Sequence, residues 1–172
     1  MPSTLLAVDP GIRGCGAAMF TAGVLTRAAY VKSPVATGNT ASAARAMGHA
    51  VAEWAKGPID ALALEWPRVY ATRIREGKSD ADPNDLLGLA AVDAAIAMVL
   101  AYTPVECFAP SDWKGQMKKG PCHARIRGRL SDGELVVMEG VSPPSLAHNV
   151  WDAVGIGLHR LGRFERVRVI AA

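Results

Sequence analysis

The chain has 172 residues, half of them hydrophobic, with 19 Lys+Arg against 16 Asp+Glu. A chain of this size buries about two-thirds of its unfolded surface, enough for one domain with a substantial core; a disordered protein and one dependent on metal or disulfide staples are excluded. The three cysteines, Cys15, Cys107 and Cys122, form neither a CxxC pair nor an even set, which argues against a secreted disulfide scaffold or structural zinc and for a reducing compartment.

The first apolar run, Leu5-Leu6-Ala7-Val8, stops at Asp9-Pro10-Gly11 and predicts a buried strand ending in a turn. Gly14 to Phe20 and Val24 to Val31 predict two more strands, with a hairpin turn at Thr21-Ala22-Gly23. Asn39-Thr40 offers a helix start and Gly57-Pro58 a stop, and Ala44, Met47, Val51 and Trp54 recur between them at helical spacing. Ile59 to Glu65 predicts a fourth strand, ended by Trp66-Pro67. A polar, basic stretch follows over 68–81, and Asp82-Pro83 opens a helix running to about Tyr102. Pro104 to Phe108 predicts a fifth strand, residues 111–145 an irregular segment with short helices, and Ser145 or His148 the start of a final helix ending near Arg160-Leu161-Gly162. The order βββ-α-β-α-β-α implies an antiparallel meander continued by parallel strands with right-handed crossovers, hence a mixed sheet in a single α/β domain spanning residues 1–172. No basic-then-apolar leader opens the sequence. The most apolar stretch, 86–102, carries Asp93 and is short for a bilayer span, so the expectation is a soluble, cytoplasmic protein without a membrane partner.

Charge is uneven. Residues 1–110 hold 9 basic and 10 acidic side chains, residues 111–172 hold 10 and 6. Lys114, Lys118, Lys119, Arg125, Arg127 and Arg129 follow one another with no acid between them, a footprint that suits a polyanion and equally a solvated loop.

Three carboxylates stand out: Asp9 and Glu65 at the ends of predicted strands, and Asp152 in the last helix. Each is ordinary taken alone, as a turn residue, a solvated strand end or a polar helix position. Together they interrupt or end apolar segments, where charge is costly unless used. In open α/β sheets ligands gather beyond the carboxyl ends of the strands. Carboxylates facing one another there need a cation or a shared proton, and an all-oxygen set suits Mg²⁺ or Mn²⁺. Other chemistries lack their motifs: there is no GxxxxGK[ST], GxSxG or HExxH, and Gly11, Gly14 and Gly16 do not have dinucleotide-loop spacing.

With these residues placed, Ala7-Val8-Asp9-Pro10-Gly11 followed by Gly14-Cys15-Gly16, Leu62 to Pro67 around Glu65, and His148 to Ala153 around Asp152 resemble the catalytic segments of RuvC-type Holliday junction resolvases, the crossover junction endodeoxyribonucleases. Pro110 with Trp113-Lys114-Gly115 resembles their phage-encoded branch. The resemblance runs from residue 5 to about 160. It implies an RNase H-like fold, a five-stranded mixed sheet in order 3-2-1-4-5 flanked by helices. It also implies a homodimer acting in DNA recombination and repair, in a bacterium or a phage-infected host. The implied activity is Mg²⁺-dependent paired, symmetric nicking of four-way DNA junctions, leaving 5′-phosphate and 3′-hydroxyl ends. Asp9, Glu65 and Asp152 would then be catalytic and hold two metal ions about 3.5–4 Å apart, with Mn²⁺ able to substitute. The family places a fourth ligand three residues before the last carboxylate; Asn149 stands there, and His148 one position earlier. Both share a helix face with Asp152, so the fourth ligand stays open between His148, also a candidate catalytic residue, and Asn149.

DNA contact is expected from Arg68, Tyr70, Arg73 and Arg75 beside Glu65, an arrangement suited to phosphate contact with stacking on a base, and from Lys114, Lys118, Lys119, Arg125 and Arg127. His123, inside that second segment, is a candidate phosphate contact, whereas His49 and His159 read as helix-surface residues. The helix over 83–102 is apolar on more than one face, which marks burial on two sides and makes it the expected dimer contact. Three rivals remain: an RNase H-like nuclease acting on another branched DNA or structured RNA, a junction-binding module with weak or no catalysis, and an actin-like ATPase fragment. The last lacks room for a second domain.

Overall fold

The computed structural model describes residues 2–35, 40–68, 83–101 and 103–164. Five strands form one sheet in the order β3-β2-β1-β4-β5: β1 Thr4–Asp9, β2 Gly14–Thr21, β3 Val24–Lys32, β4 Ala61–Glu65 and β5 Val105–Phe108. β1, β2 and β3 pair antiparallel, and β4 and β5 add parallel to β1. The helices are α1 Thr40–Ala55, α2 Pro83–Val99, α3 Pro110–Trp113, α4 Lys119–Arg127, α5 Asp132–Glu139 and α6 Ala147–Arg160. The expected mixed sheet and its strand order are therefore observed; β4 begins two residues later than the apolar run suggested, and α2 ends three residues earlier.

The central strand explains the lack of polar alternation at its start. Leu5 and Ala7 face a core layer shared with α4, α5 and α6, whereas Leu6 and Val8 face a second layer under α1 and α2. A strand covered on both faces reads as a continuous apolar run, and all four side chains are buried. Each buried Leu contributes roughly 1.5–3 kcal/mol. The β2–β3 turn places Ala22 and Gly23 at φ 49° and 80°, the two left-handed residues that a tight hairpin needs to match strand twist.

A buried ionic clasp closes the far side. Glu134 of α5 accepts hydrogen bonds from Leu25 N at 2.8 Å and from both guanidinium nitrogens of Arg163, at 2.6 and 2.9 Å. Arg163 also donates to Gly23 O and Arg129 O. Ser131 and Glu134 cap α5 reciprocally. One carboxylate thus ties the hairpin, α5 and the chain beyond α6 together. Burial raises its pKa, but the hydrogen bonds from Arg163, Leu25 and Ser131 win and bring it down to about 2. No helix among the described residues is long and apolar enough to cross a membrane.

Candidate active site

Val8 of β1 lies beside Leu64 of the parallel strand β4, so Asp9 and Glu65, one residue on, emerge together at the carboxyl edge of the sheet, on strands about 4.8 Å apart. Val8 and Leu64 face the α1–α2 layer; strand alternation turns Asp9 and Glu65 the other way, toward α6.

α6 reaches this edge because β2 is thin there. Asp9 pairs with Gly16, and a Cβ built on Gly16 would stand 2.0 Å from the carbonyl oxygen of Asn149. Only glycine lets the first turn of α6 lie on the sheet at that point. Asp152, one turn further along, then sits over the strand ends.

The third contribution comes from beyond β5. The one-turn helix α3, with the Asp112 carboxylate accepting from Ala109 N at 2.8 Å, folds Trp113 and Lys114 back over the edge. Trp113 is buried beneath α6, its ring filling the space where Gly155 lacks a side chain, and its Nε1 donates to Glu65 Oε2 at 2.8 Å. Lys114 Nζ lies 3.3 Å from the same Glu65 oxygen and 3.7 Å from Asp152 Oδ2. His123 of α4 places Nε2 3.2 Å from the other Asp152 oxygen, Oδ1, and its ring stacks on Trp151 with centroids 6.0 Å apart.

The electrostatics follow. Burial pushes the Asp9 carboxyl well above the usual range, and Glu65 and Asp152 push it further against the pull of Lys114. Glu65 is raised by burial, opposed by Lys114 and the Trp113 hydrogen bond. Burial alone would lower Lys114, but Glu65, Asp152 and Asp9 hold its ammonium pKa above the ordinary value. Behind the edge, Asp93 of α2 is fully buried with neither carboxylate oxygen hydrogen-bonded; burial, then the Glu65 charge, raises it to about 8.

A hard divalent cation fits this donor set. When ionised, the three carboxylates outnumber the single ammonium by two charges, and Asp9 gains most from a cation because burial and three acids, Glu65, Asp152 and Asp93, oppose its ionisation. Among the described residues no three His, Cys, Asp or Glu side chains converge tightly enough to hold an ion as they stand; Lys114 stands between two of them.

The other candidates lie as follows. His148 is half-buried in the first turn of α6, its Nδ1 3.1 Å from Ser145 O, and the Asn149 backbone is the part pressed on Gly16. Arg68 is exposed three residues after Glu65, while Tyr70, Arg73 and Arg75 lie outside the described residues. Lys118, Lys119 and Arg127 are exposed at or on α4. Arg125 is engaged in packing: its guanidinium stacks 4.0 Å from the Phe164 ring and donates to Trp113 O. His49 is exposed, whereas His159 packs edge-on to Phe108. Sequence reasoning placed Lys114 and His123 on DNA and used Trp113 only as part of the resemblance, with no role in the site. The available signal was the position of Trp113-Lys114 directly after a strand that ends at the same sheet edge.

No protein-family model matches the chain, and no curated protein matches it in sequence. Solved structures do match. Thermus thermophilus RuvC superposes with a TM-score of 0.54 at 19% identity over 93% of this chain and 97% of that one. The same protein in complex with a Holliday junction substrate gives 0.56 at 16% identity, covering 93% and 96%. The yeast mitochondrial Holliday junction resolvase Ydc2 gives 0.59 at 9% identity, covering 93% of this chain and 79% of that one. The chain has the RuvC fold. Sheet order and helix layers agree along nearly its whole length, although the identities are too low to carry more than the fold itself.

Proposed function

We propose that the chain is a divalent-metal-dependent endodeoxyribonuclease that resolves four-way DNA junctions by paired symmetric nicks, leaving 5′-phosphate and 3′-hydroxyl ends. The observation that carries this reading is the meeting of Asp9, Glu65 and Asp152, from three distant segments, beside Lys114 at the carboxyl edge of a RuvC fold. In this reading Asp9, Glu65 and Asp152 hold Mg²⁺, two ions per site, with Mn²⁺ able to replace it. A bound ion supplies a water of lowered pKa and offsets charge on the phosphate. Trp113 fixes which way Glu65 Oε2 points, and the Lys114 ammonium, between Glu65 and Asp152, offsets part of the repulsion among the carboxylates. The resemblance puts a fourth donor at His148 or Asn149.

The exposed Lys118, Lys119 and Arg127, at or on the helix that carries His123, serve the DNA backbone, together with Arg68 and the segment holding Tyr70, Arg73 and Arg75. Half-buried Lys114 and Arg125 contribute field to that surface. Leu87 and Met98 on α2 are 69% and 77% exposed, and with Ala94 they form an apolar stripe on its outer face. A second copy of the chain covers that stripe, so that two sites face the two continuous strands of a junction in the cytoplasm of a bacterium or a phage-infected host.

The deciding experiment compares a labelled immobile four-way junction, a flap, a linear duplex and a hairpin RNA in Mg²⁺, with EDTA and Asp9→Asn as controls. Paired nicks on the junction, abolished by both controls, are expected. Preferred cutting of the flap or the RNA overturns the substrate assignment. Tight junction binding without cutting in Mg²⁺ or Mn²⁺ makes the chain a junction-binding module, a reading favoured by the Lys114 ammonium lying between Glu65 and Asp152.

A further inference from the structure

The weak point of the carboxylate set is its fourth donor. Among the described residues, neither side chain at the expected positions of α6 has a hydrogen bond or ion pair to the acids: His148 is bonded to the Ser145 carbonyl, and Asn149 meets the sheet through its backbone. A different imidazole does touch one of them, Asp152. His123, from α4, stands 3.2 Å from Asp152 Oδ1 through Nε2. We propose that His123 is the nitrogen donor of the metal centre, sharing with Asp152 the ion on the α4 side of the site. This rests on the metal-dependent reading above and names the residue that completes it.

Three observations support the assignment. The first is spacing. An octahedral ion with bonds of about 2.1 Å holds neighbouring ligand atoms roughly 3.0 Å apart, so a nitrogen and an oxygen 3.2 Å apart already stand near the edge length of such a site. Small rotations of the two side chains would admit an ion between them. The second is division of labour at Asp152. Its Oδ2 is on the Lys114 side and its Oδ1 on the His123 side, which leaves the oxygen nearest the imidazole clear of the ammonium. The third is preorganisation. Cys122 and Ile126, buried on the inner face of α4, anchor the helix under the site, and the ring lies against Trp151 at an interplanar angle of 27°. An imidazole held in this way loses little freedom on binding an ion.

The test uses the full chain loaded with Mn²⁺. Electron spin echo modulation from a coordinated ¹⁴N reports imidazole on the ion, and the free-Mn²⁺ signal gives the affinity. The wild type is expected to show ¹⁴N modulation that persists in His148→Ala and vanishes in His123→Ala. Mn²⁺ affinity is expected to fall 10- to 100-fold in His123→Ala. His123→Asn, closer in size, is expected to keep bound Mn²⁺ without the nitrogen signal, and serves if the alanine variant does not fold. Modulation lost in His148→Ala but retained in His123→Ala overturns the assignment, as does Mn²⁺ bound with no nitrogen signal in the wild type. A wild type that binds no Mn²⁺ fails at the earlier step, the metal-dependent reading itself, and takes the assignment with it.

Discussion

Glu134→Gln isolates the clasp that holds the chain beyond α6 against the β2–β3 hairpin. The wild-type carboxylate is 2% exposed and its pKa falls from 4.5 to about 2. A depressed carboxylate stabilises the fold above its unfolded pKa, and that contribution drains away as pH falls through the folded value. At about 1.36 kcal/mol per pH unit the shift sets a ceiling near 3.4 kcal/mol. Arg163 is still 25% exposed, so solvent screening trims this to about 2–3 kcal/mol at pH 7. For 172 residues an unfolding entropy of about 0.36 kcal/mol/K converts that loss into a Tm drop of roughly 6–8 °C. Thermal and urea unfolding of wild type and variant at pH 7, 4 and 2.5 measure it. The gap should be widest at pH 7 and narrow steadily below about pH 4.5. A gap that is negligible at pH 7, or that stays constant down to pH 2.5, would refute the argument that charge-assisted hydrogen bonds, not shape, hold this corner.

Asp93 titrates in the opposite sense. Its folded pKa of about 8 lies above the ordinary 3.8, so the wild type should lose stability between about pH 4 and pH 8, where the unfolded chain ionises and the folded one does not; Asp93→Asn should flatten that slope and gain up to about 4 kcal/mol at pH 7, read as the urea midpoint at pH 5 and pH 8. Lys118→Glu with Lys119→Glu should weaken junction binding and lower the salt slope by about 0.9 for each phosphate no longer neutralised; an unchanged slope in a fluorescence anisotropy titration removes α4 from the DNA surface. Leu87→Glu with Met98→Glu should convert a dimer to a monomer in sedimentation without lowering Tm, since both side chains are solvent-exposed in the single chain; a dimer that survives puts the subunit interface elsewhere.

The strands themselves were legible because each carries its own boundary; their order in the sheet came only from the resemblance. Leu5 to Val8 is too apolar to be anything but buried on both faces, and it stops at Asp9-Pro10-Gly11. β5 is mostly exposed and was legible only from its flanking prolines. The segment after β5 was not legible because its helices bury so little: α4 turns in only Cys122 and Ile126, one side chain per turn, too few to show a period. The two strand-end carboxylates were visible as charges after apolar runs. The roles of Lys114 and His123 were not. A basic residue in a polar segment has the same sequence signature whether it meets solvent, phosphate or a carboxylate, and only the reversal at α3 and the packing of α4 under α6 turn these two inward. Asp93 announced itself by interrupting an apolar helix, but not that it would be buried within the field of Glu65 with neither oxygen hydrogen-bonded.

The position of Asp152 is set by backbone rather than by its own contacts. α6 is held at two levels, by Gly16 beneath Asn149 and by Gly155 above the Trp113 ring, where an added Cβ would approach to 2.0 and 2.4 Å. A methyl group needs more than 3 Å, so at either level the helix would have to rise by about an ångström, twice the roughly 0.5 Å tolerance of a catalytic constellation. Trp113 connects the two requirements. Its ring occupies the space left by Gly155 while its Nε1 holds Glu65, so a shift of α6 reaches Asp152 directly and Glu65 through the indole. The carboxylates of this edge are thus registered to one another through two missing side chains and one buried ring. That is why the residues that place the site, unlike those that compose it, carry no charge for a sequence reading to find.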